Sequence, residues 1–156
     1  MLYGLGVDLC RVSPIRRSVD KFGKAWLDEV FSNTEQANML LLEDLSLSAA
    51  VGFAIKEACA KALGTGLADG VRWHDFEILR NNIDWDIRLS GRAREHAMGR
   101  APVKLICWCR TLLSTDRQWA IAMAILYEGP TAFADFLFWD ALMNSPPNLM
   151  EWRHFP

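Results

Sequence analysis

Small and apolar residues alternate from position 2 to position 10, and that period of two predicts a strand with Asp8 near its C-terminal end. Ser13 and Pro14 open a helix that runs to about residue 25 and stays helical to residue 30, with Arg16, Arg17, Lys21 and Lys24 on its outer surface. Ser32, Asn33, Thr34 and Glu35 give turn and cap signals before another helix over about residues 35–42. After a polar break at 43–46 comes a long alanine-rich helix, with Ser46 or Ser48 available to cap its start and Gly64 placed to end it in the left-handed conformation. Residues 67–70 form a loop, 73–79 and 85–89 read as strands about a turn at Asn81 and Asn82, and Gly91 precedes a helix over about 92–98. Residues 103–112 and 119–127 read as an antiparallel pair of strands about a turn at 114–117. Strands and helices mix without strict alternation, which makes the class α+β.

The last segment changes texture. Phe133, Phe136, Leu137, Phe138, Trp139, Leu142 and Met143 nearly surround one short helical stretch that Pro146 and Pro147 end. The stretch is too short for a bilayer and carries Asp135 and Asp140 but no lysine or arginine, which favours burial against the domain or a second subunit over membrane docking. The division is therefore a domain over residues 1–128 and an aromatic-rich C-terminal extension over 129–156.

Composition narrows the class. The 156 residues suffice for one core without disulfide staples, and with 51% apolar residues and a net charge of −2 the chain is globular, not disordered. Near-neutral charge argues against a broad nucleic-acid footprint. With no secretion signal and no run of the ~20 apolar residues a membrane span needs, the chain reads as cytoplasmic, without a membrane partner. Cys10, Cys59, Cys107 and Cys109 lack zinc-type spacing and read as reduced, mostly buried thiols. His74, His96 and His154 lack metal-ligand spacing, Ser114 lacks a nucleophile elbow, and Trp85, Trp108 and Trp119 read as core.

The chemistry concentrates in residues 51–66. Glu57 and Lys61 are four apart and share a helix face, which by itself describes a surface ion pair worth about 0.2–0.5 kcal/mol. The alanine, glycine and cysteine around them imply close packing against a neighbour, which puts the pair at the edge of something buried.

Gly4-Leu5-Gly6-Val7-Asp8-Leu9, the run from Phe53 through Lys56-Glu57-Ala58-Cys59-Ala60-Lys61 to Gly64-Thr65-Gly66, then Phe76-Glu77-Ile78, Leu89-Ser90-Gly91 and residues 113–122 resemble, in order and spacing, the holo-acyl-carrier-protein synthase family of 4′-phosphopantetheinyl transferases. The resemblance runs to about Glu128. It implies an antiparallel sheet packed against a long central helix, and magnesium-dependent transfer of phosphopantetheine from coenzyme A to a serine of an acyl carrier protein, with release of adenosine 3′,5′-bisphosphate. It further implies Asp8 and Glu57 as metal ligands and Lys61 as the phosphate-contacting cation. Gly64, Thr65 and Gly66, where backbone approaches the ligand, and Thr115 are implied at the nucleotide, and the assembly as a homotrimer with sites between subunits. Hard oxygen ligands on a divalent ion beside a fixed cation suit attack on a diphosphate.

The departures fall on substrate binding. Gly52 stands where the family commonly has arginine, residues 43–51 hold no lysine or arginine for the coenzyme A 3′-phosphate, and Ser114-Thr115 replaces the common Ser-His. The family's carrier-binding arginine aligns with Pro14, leaving Arg11, Arg16 or Arg17 as substitutes. These losses set a second reading beside the first, a relative on the same scaffold with another reaction or a structural role in a carrier-dependent pathway. A plain carrier-binding module, which would need no metal pair, is the third.

Overall fold

The computed structural model describes residues 2–40, 44–81, 84–100 and 106–128; the expected extension at 129–156, like the expected start of a strand at 103–105, lies outside them. Among the described residues five strands, β1 (Leu2–Arg11), β2 (Phe76–Asn81), β3 (Asp84–Leu89), β4 (Ile106–Leu113) and β5 (Trp119–Tyr127), form one sheet of order β1-β5-β4-β3-β2. Each neighbouring pair is antiparallel. The helices are α1 (Val12–Phe22), α2 (Lys24–Val30), α3 (Asn33–Met39), α4 (Leu45–Leu63) and α5 (Gly91–Arg100). The α+β class holds, with α4 lying across the inner face of the sheet. Among the described residues no helix is long and apolar enough to cross a membrane.

Period-two alternation decides what meets α4. On β1, Gly4, Gly6, Asp8 and Cys10 turn toward the helix, opposite Leu126, Ala124, Ala122 and Ala120 of β5. Those three alanines are fully buried, as are Ala54, Ala58 and Ala60 of α4. A seam of such small residues brings backbone against backbone: a Cβ added to Gly6 would stand 2.0 Å from the Ala58 carbonyl oxygen, and one added to Gly4 would stand 1.9 Å from that of Ala62. The composition of residues 51–66 thus has its cause in a helix pressed onto a strand.

Several local expectations change. The helix expected to continue through residue 25 breaks at Gly23, whose φ of 51° lets the chain turn between α1 and α2. Asp44, rather than Ser46 or Ser48, caps α4 by accepting the Leu47 N–H at 3.0 Å, and Ser48 instead donates to the Asp44 carbonyl. Gly64 ends α4 as expected, at φ 84°, with its N–H on Ala60 and Lys61. Ser32 and Glu35 form a full capping box. Residues 73–75, expected as strand, make a 3₁₀ turn because the Asp75 carboxylate folds back to accept the Arg72 N–H. Trp119, expected in the core, is 37% exposed beneath the Arg11 guanidinium. All four cysteines are buried, and Cys107 and Cys109 face one side of β4, with the Cys107 thiol 3.7 Å from that of Cys59.

Candidate active site

The close seam between β1 and α4 fixes the first pair of functional side chains. Because Gly6 lets the strand touch the helix at Ala58, Asp8 arrives beside the turn of α4 that carries Glu57 and Lys61. Lys61 Nζ donates to Asp8 Oδ1 at 2.7 Å and to the Val7 carbonyl at 3.1 Å. The pair is open to solvent on the lysine side, where Lys61 is 49% exposed and Asp8 15%. A pair this open contributes about 0.2–1 kcal/mol to stability, so rearranging it for a ligand costs little.

Glu57 stands in the same space without a hydrogen-bond or salt-bridge partner of its own among the described residues. Burial raises its carboxyl above the ordinary value, the Asp8 charge raises it further, and Lys61 acts in the opposite direction. The neighbouring Cys10 thiol senses the same two carboxylates: burial, then Asp8, then Glu57 push it up to about 11. The Asp8 charge thus bears on Glu57, with one cation on Asp8 and none bound to Glu57. No group of three or more metal-binding side chains occurs among the described residues. Two oxygen donors with the remaining positions open fit a magnesium ion, which keeps waters and takes substrate oxygens, better than a metal that needs an all-protein cage.

The other expected residues lie along the same edge or apart from it. Gly64 is covered by the Arg100 guanidinium, 2.9 Å from where its Cβ would stand, and Arg100 also donates to the Leu63 carbonyl at 2.6 Å. Glycine is thus favoured there by the left-handed φ, with the movable end of Arg100 lying over it. Gly66 is also left-handed, at φ 60°, with open space where a side chain would be, and Thr65 Oγ1 donates to the Gly66 carbonyl. Thr115 is exposed on the β4–β5 turn, where Ser114 and Asp116 organise the backbone through Gln118 and Trp119. Trp85 packs against the core and donates its indole N–H to Thr111, which makes it a packing residue. Gly52 leaves no room for the arginine the family commonly has there, since a Cβ would sit 2.8 Å from both Met39 and Phe31 side-chain atoms.

Sequence reasoning missed one group entirely. Lys56, beside Glu57, is fully buried, and its Nζ donates to Glu35 Oε2 at 2.9 Å and to the Trp73 carbonyl at 3.1 Å, over the Phe31 ring. Burial lowers its affinity for the proton and Glu35 opposes that fall. The available signal was Glu35 at the third position of a capping box beside an apolar run, with a lysine twenty-one residues further on. Nothing in linear spacing joins those two.

The 4′-phosphopantetheinyl transferase superfamily profile matches residues 4–124. A holo-acyl-carrier-protein synthase of Methylorubrum populi is 36% identical over 135 residues, covering 86% of this chain and 99% of the relative. One from Methylobacterium nodulans is 46% identical over 131 residues, covering 83% and 99%. Among solved structures, the Helicobacter pylori holo-acyl-carrier-protein synthase in complex with coenzyme A superposes with a TM-score of 0.63 at 27% identity, over 79% of this chain and 99% of that one. The enzyme from Neisseria meningitidis reaches a TM-score of 0.69 at 23% identity, over 82% and 100%, a likeness of fold.

Proposed function

The chain belongs to the 4′-phosphopantetheinyl transferase superfamily, among its holo-acyl-carrier-protein synthases, and from that premise we infer how its own residues carry the transfer of 4′-phosphopantetheine from coenzyme A to a serine of an acyl carrier protein. In that reaction the serine oxygen attacks the phosphorus that bears pantetheine, the bond to the bridging oxygen of the diphosphate breaks, and adenosine 3′,5′-bisphosphate leaves while the serine proton passes to solvent or a nearby base. Negative charge grows on the departing phosphate, so the site needs fixed positive charge there.

Asp8 and Glu57 would hold a magnesium ion, which supplies neutralising charge to the diphosphate when bound. Lys61 gives up Asp8 and turns its ammonium to the phosphate oxygens, a change open to a half-exposed side chain. The half-exposed Lys61–Asp8 ion pair at 2.7 Å, one helical turn from a Glu57 that has no hydrogen bond or salt bridge among the described residues, is the observation that carries this reading. Gly64, Thr65, Gly66 and Thr115 line the nucleotide end in the same proposal, with Gly66 the position where open space meets an accessible backbone.

Exposed surfaces support the proposed assembly and carrier docking. Leu5, Val7 and Leu9 are 57%, 50% and 57% exposed on the outer face of β1, beside Ile121, Met123 and Ile125 of β5 and the exposed Leu112 of β4. A contiguous apolar sheet face of this kind supports a homotrimer that buries it and shares sites between subunits. The outer face of α1 supports docking of an acidic carrier. Arg16 is already paired with Asp44 at 3.0 Å and Arg11 lies over Trp119, which leaves Arg17 the cation best placed to be exchanged.

The test is intact mass of an apo-carrier protein incubated with coenzyme A and magnesium. A gain of one phosphopantetheine, abolished by chelator and by Asp8→Asn, is expected. Several carriers without a gain, together with no detectable coenzyme A binding, would overturn the reading. Native mass spectrometry checks the trimer, which Val7→Lys should dissociate.

A further inference from the structure

We propose that the buried Lys56–Glu35 pair is a positioning device that fixes the rotation of α4, and through it the place of the Glu57 carboxylate beside Asp8. The inference builds on the reading of Asp8 and Glu57 as the metal-holding pair.

Two different contacts locate α4, and they constrain different things. The seam of Gly4, Gly6 and the alanines sets how close the helix lies to β1. Surfaces made of glycine and alanine have shallow ridges and grooves, so they resist approach far better than they resist rolling. Rolling is what Glu57 can least tolerate. With Cα atoms about 2.3 Å from the helix axis and a glutamate reaching several ångströms further, a roll of about 10–15° carries the carboxylate about 1 Å. A misplacement of that size in a reacting centre lowers rate about 10²-fold.

Lys56 opposes that roll because it is the residue next to Glu57, about 100° around the axis, and is anchored on a different face of the helix. Its ammonium is held by Glu35 of α3 at 2.9 Å and by the Trp73 carbonyl at 3.1 Å, over the face of Phe31. Glu35 is in turn held by the Ser32 N–H at 2.7 Å on Oε2 and by the Ile78 N–H of β2 at 2.9 Å on Oε1. The network ties α4 to α3, to the 3₁₀ turn and to β2 with directional bonds, which a roll of α4 would stretch by the same ångström that it moves Glu57. Stability alone does not call for such a pair, since well-packed apolar residues commonly replace buried ion pairs without loss. Direction is what an apolar replacement would not supply.

The test compares Lys56→Met, Glu35→Gln and the double Lys56→Met/Glu35→Gln variant, in which no charge is left unpaired, with wild type. Each is read by thermal unfolding, by Mn²⁺ affinity from electron paramagnetic resonance with coenzyme A present, and by kcat and KM from carrier mass. The double variant still loses the bond to the Trp73 carbonyl and sets the amide NH2 introduced at position 35 against one of the two N–H groups that Glu35 accepts. It is therefore expected to unfold below wild type but above Lys56→Met, to stay folded at the assay temperature, and to lose about tenfold or more in Mn²⁺ affinity and about 10²-fold in kcat, with KM for the carrier little changed. A folded double variant with wild-type Mn²⁺ affinity and kcat would overturn the proposal, as would activity losses that track only the unfolded fraction. Asp8→Asn and Glu57→Gln in the same titration separate the two claims: if both bind Mn²⁺ as wild type does, the metal reading itself is wrong, and this inference with it.

Discussion

One helix carries two lysine–carboxylate pairs, five residues apart, that do opposite things. Lys61–Asp8, at 2.7 Å, lies on the open side of α4 with the lysine half exposed. Lys56–Glu35, at 2.9 Å, is sealed on the other side at 0% and 3% exposure. The bonds are nearly the same length, so length does not separate their roles. What separates them is solvent and the number of other partners. Water competes for Lys61, which makes its bond easy to exchange for a phosphate, whereas both oxygens of Glu35 have protein donors and the buried ammonium has two protein acceptors, which makes the pair a fixed point.

The comparison breaks most sharply at the open side. Glu57→Gln keeps the shape of the side chain and removes the second carboxylate from the proposed metal site. We expect kcat to fall by about 10³-fold or more, the scale of losing a principal charge-stabilising group, while thermal stability at neutral pH holds or rises, because Asp8 no longer faces a second negative charge. A variant that keeps magnesium-dependent transfer within about tenfold of wild type would remove Glu57 from the site.

The sealed side should answer in stability. Lys56→Met alone leaves Glu35 buried without its cation, a change that costs about 3–5 kcal/mol in comparable buried pairs. Gly6→Ala attacks the same helix from its other contact. A methyl 2.0 Å from the Ala58 carbonyl forces β1 and α4 apart, at a cost of about 1–3 kcal/mol or more. Urea unfolding measures both. If Lys56→Met proves milder than Gly6→Ala, the glycine seam rather than the ion pair is the dominant anchor of α4.

Much of this was legible in the chain. Period-two alternation put Asp8 on one face of the first strand, and i, i+4 spacing put Glu57 and Lys61 together. The resemblance then joined strand to helix, which periodicity cannot do. Three things stayed hidden for physical reasons. Glu35 reads as a helix cap because its cap bond is local, while its bonds to Lys56 and Ile78 cross long stretches of sequence. Gly52 reads as a missing arginine, whereas the fold shows a position closed by Phe31 and Met39. Arg100 gave no sign of covering Gly64, since a helix end and a distant arginine share no pattern.

The missing arginine leads to a smaller effect. A charge-assisted phosphate contact contributes about 1.5–3 kcal/mol, so a synthase with such a contact at the 3′-phosphate should prefer coenzyme A over dephospho-coenzyme A by about 10–100-fold. Here residues 43–51 carry no lysine or arginine and Gly52 is walled in. We expect the preference in kcat/KM to stay below about tenfold. A larger ratio would mean that another cation of this chain has taken over the contact.

The smallest effect is the most specific to the open side. The folded state raises the Glu57 carboxyl above its unfolded value, chiefly by burial and then by Asp8. The folded protein therefore binds that proton more tightly than the unfolded chain does, and stability must fall as pH rises from the ordinary glutamate range through the raised value. Below the unfolded value the penalty is absent, and above the folded value it is complete. Glu57→Gln has no such proton, so the difference between the two unfolding curves isolates the effect from every other titrating group. The wild type should lose stability relative to the variant as pH rises. Saturating magnesium should cancel the loss, because a cation between the carboxylates favours the ionised form and adds its own binding free energy. Parallel curves with and without magnesium would show that Glu57 and Asp8 do not share one site, and the contrast between the two sides of α4 would then lose its functional half.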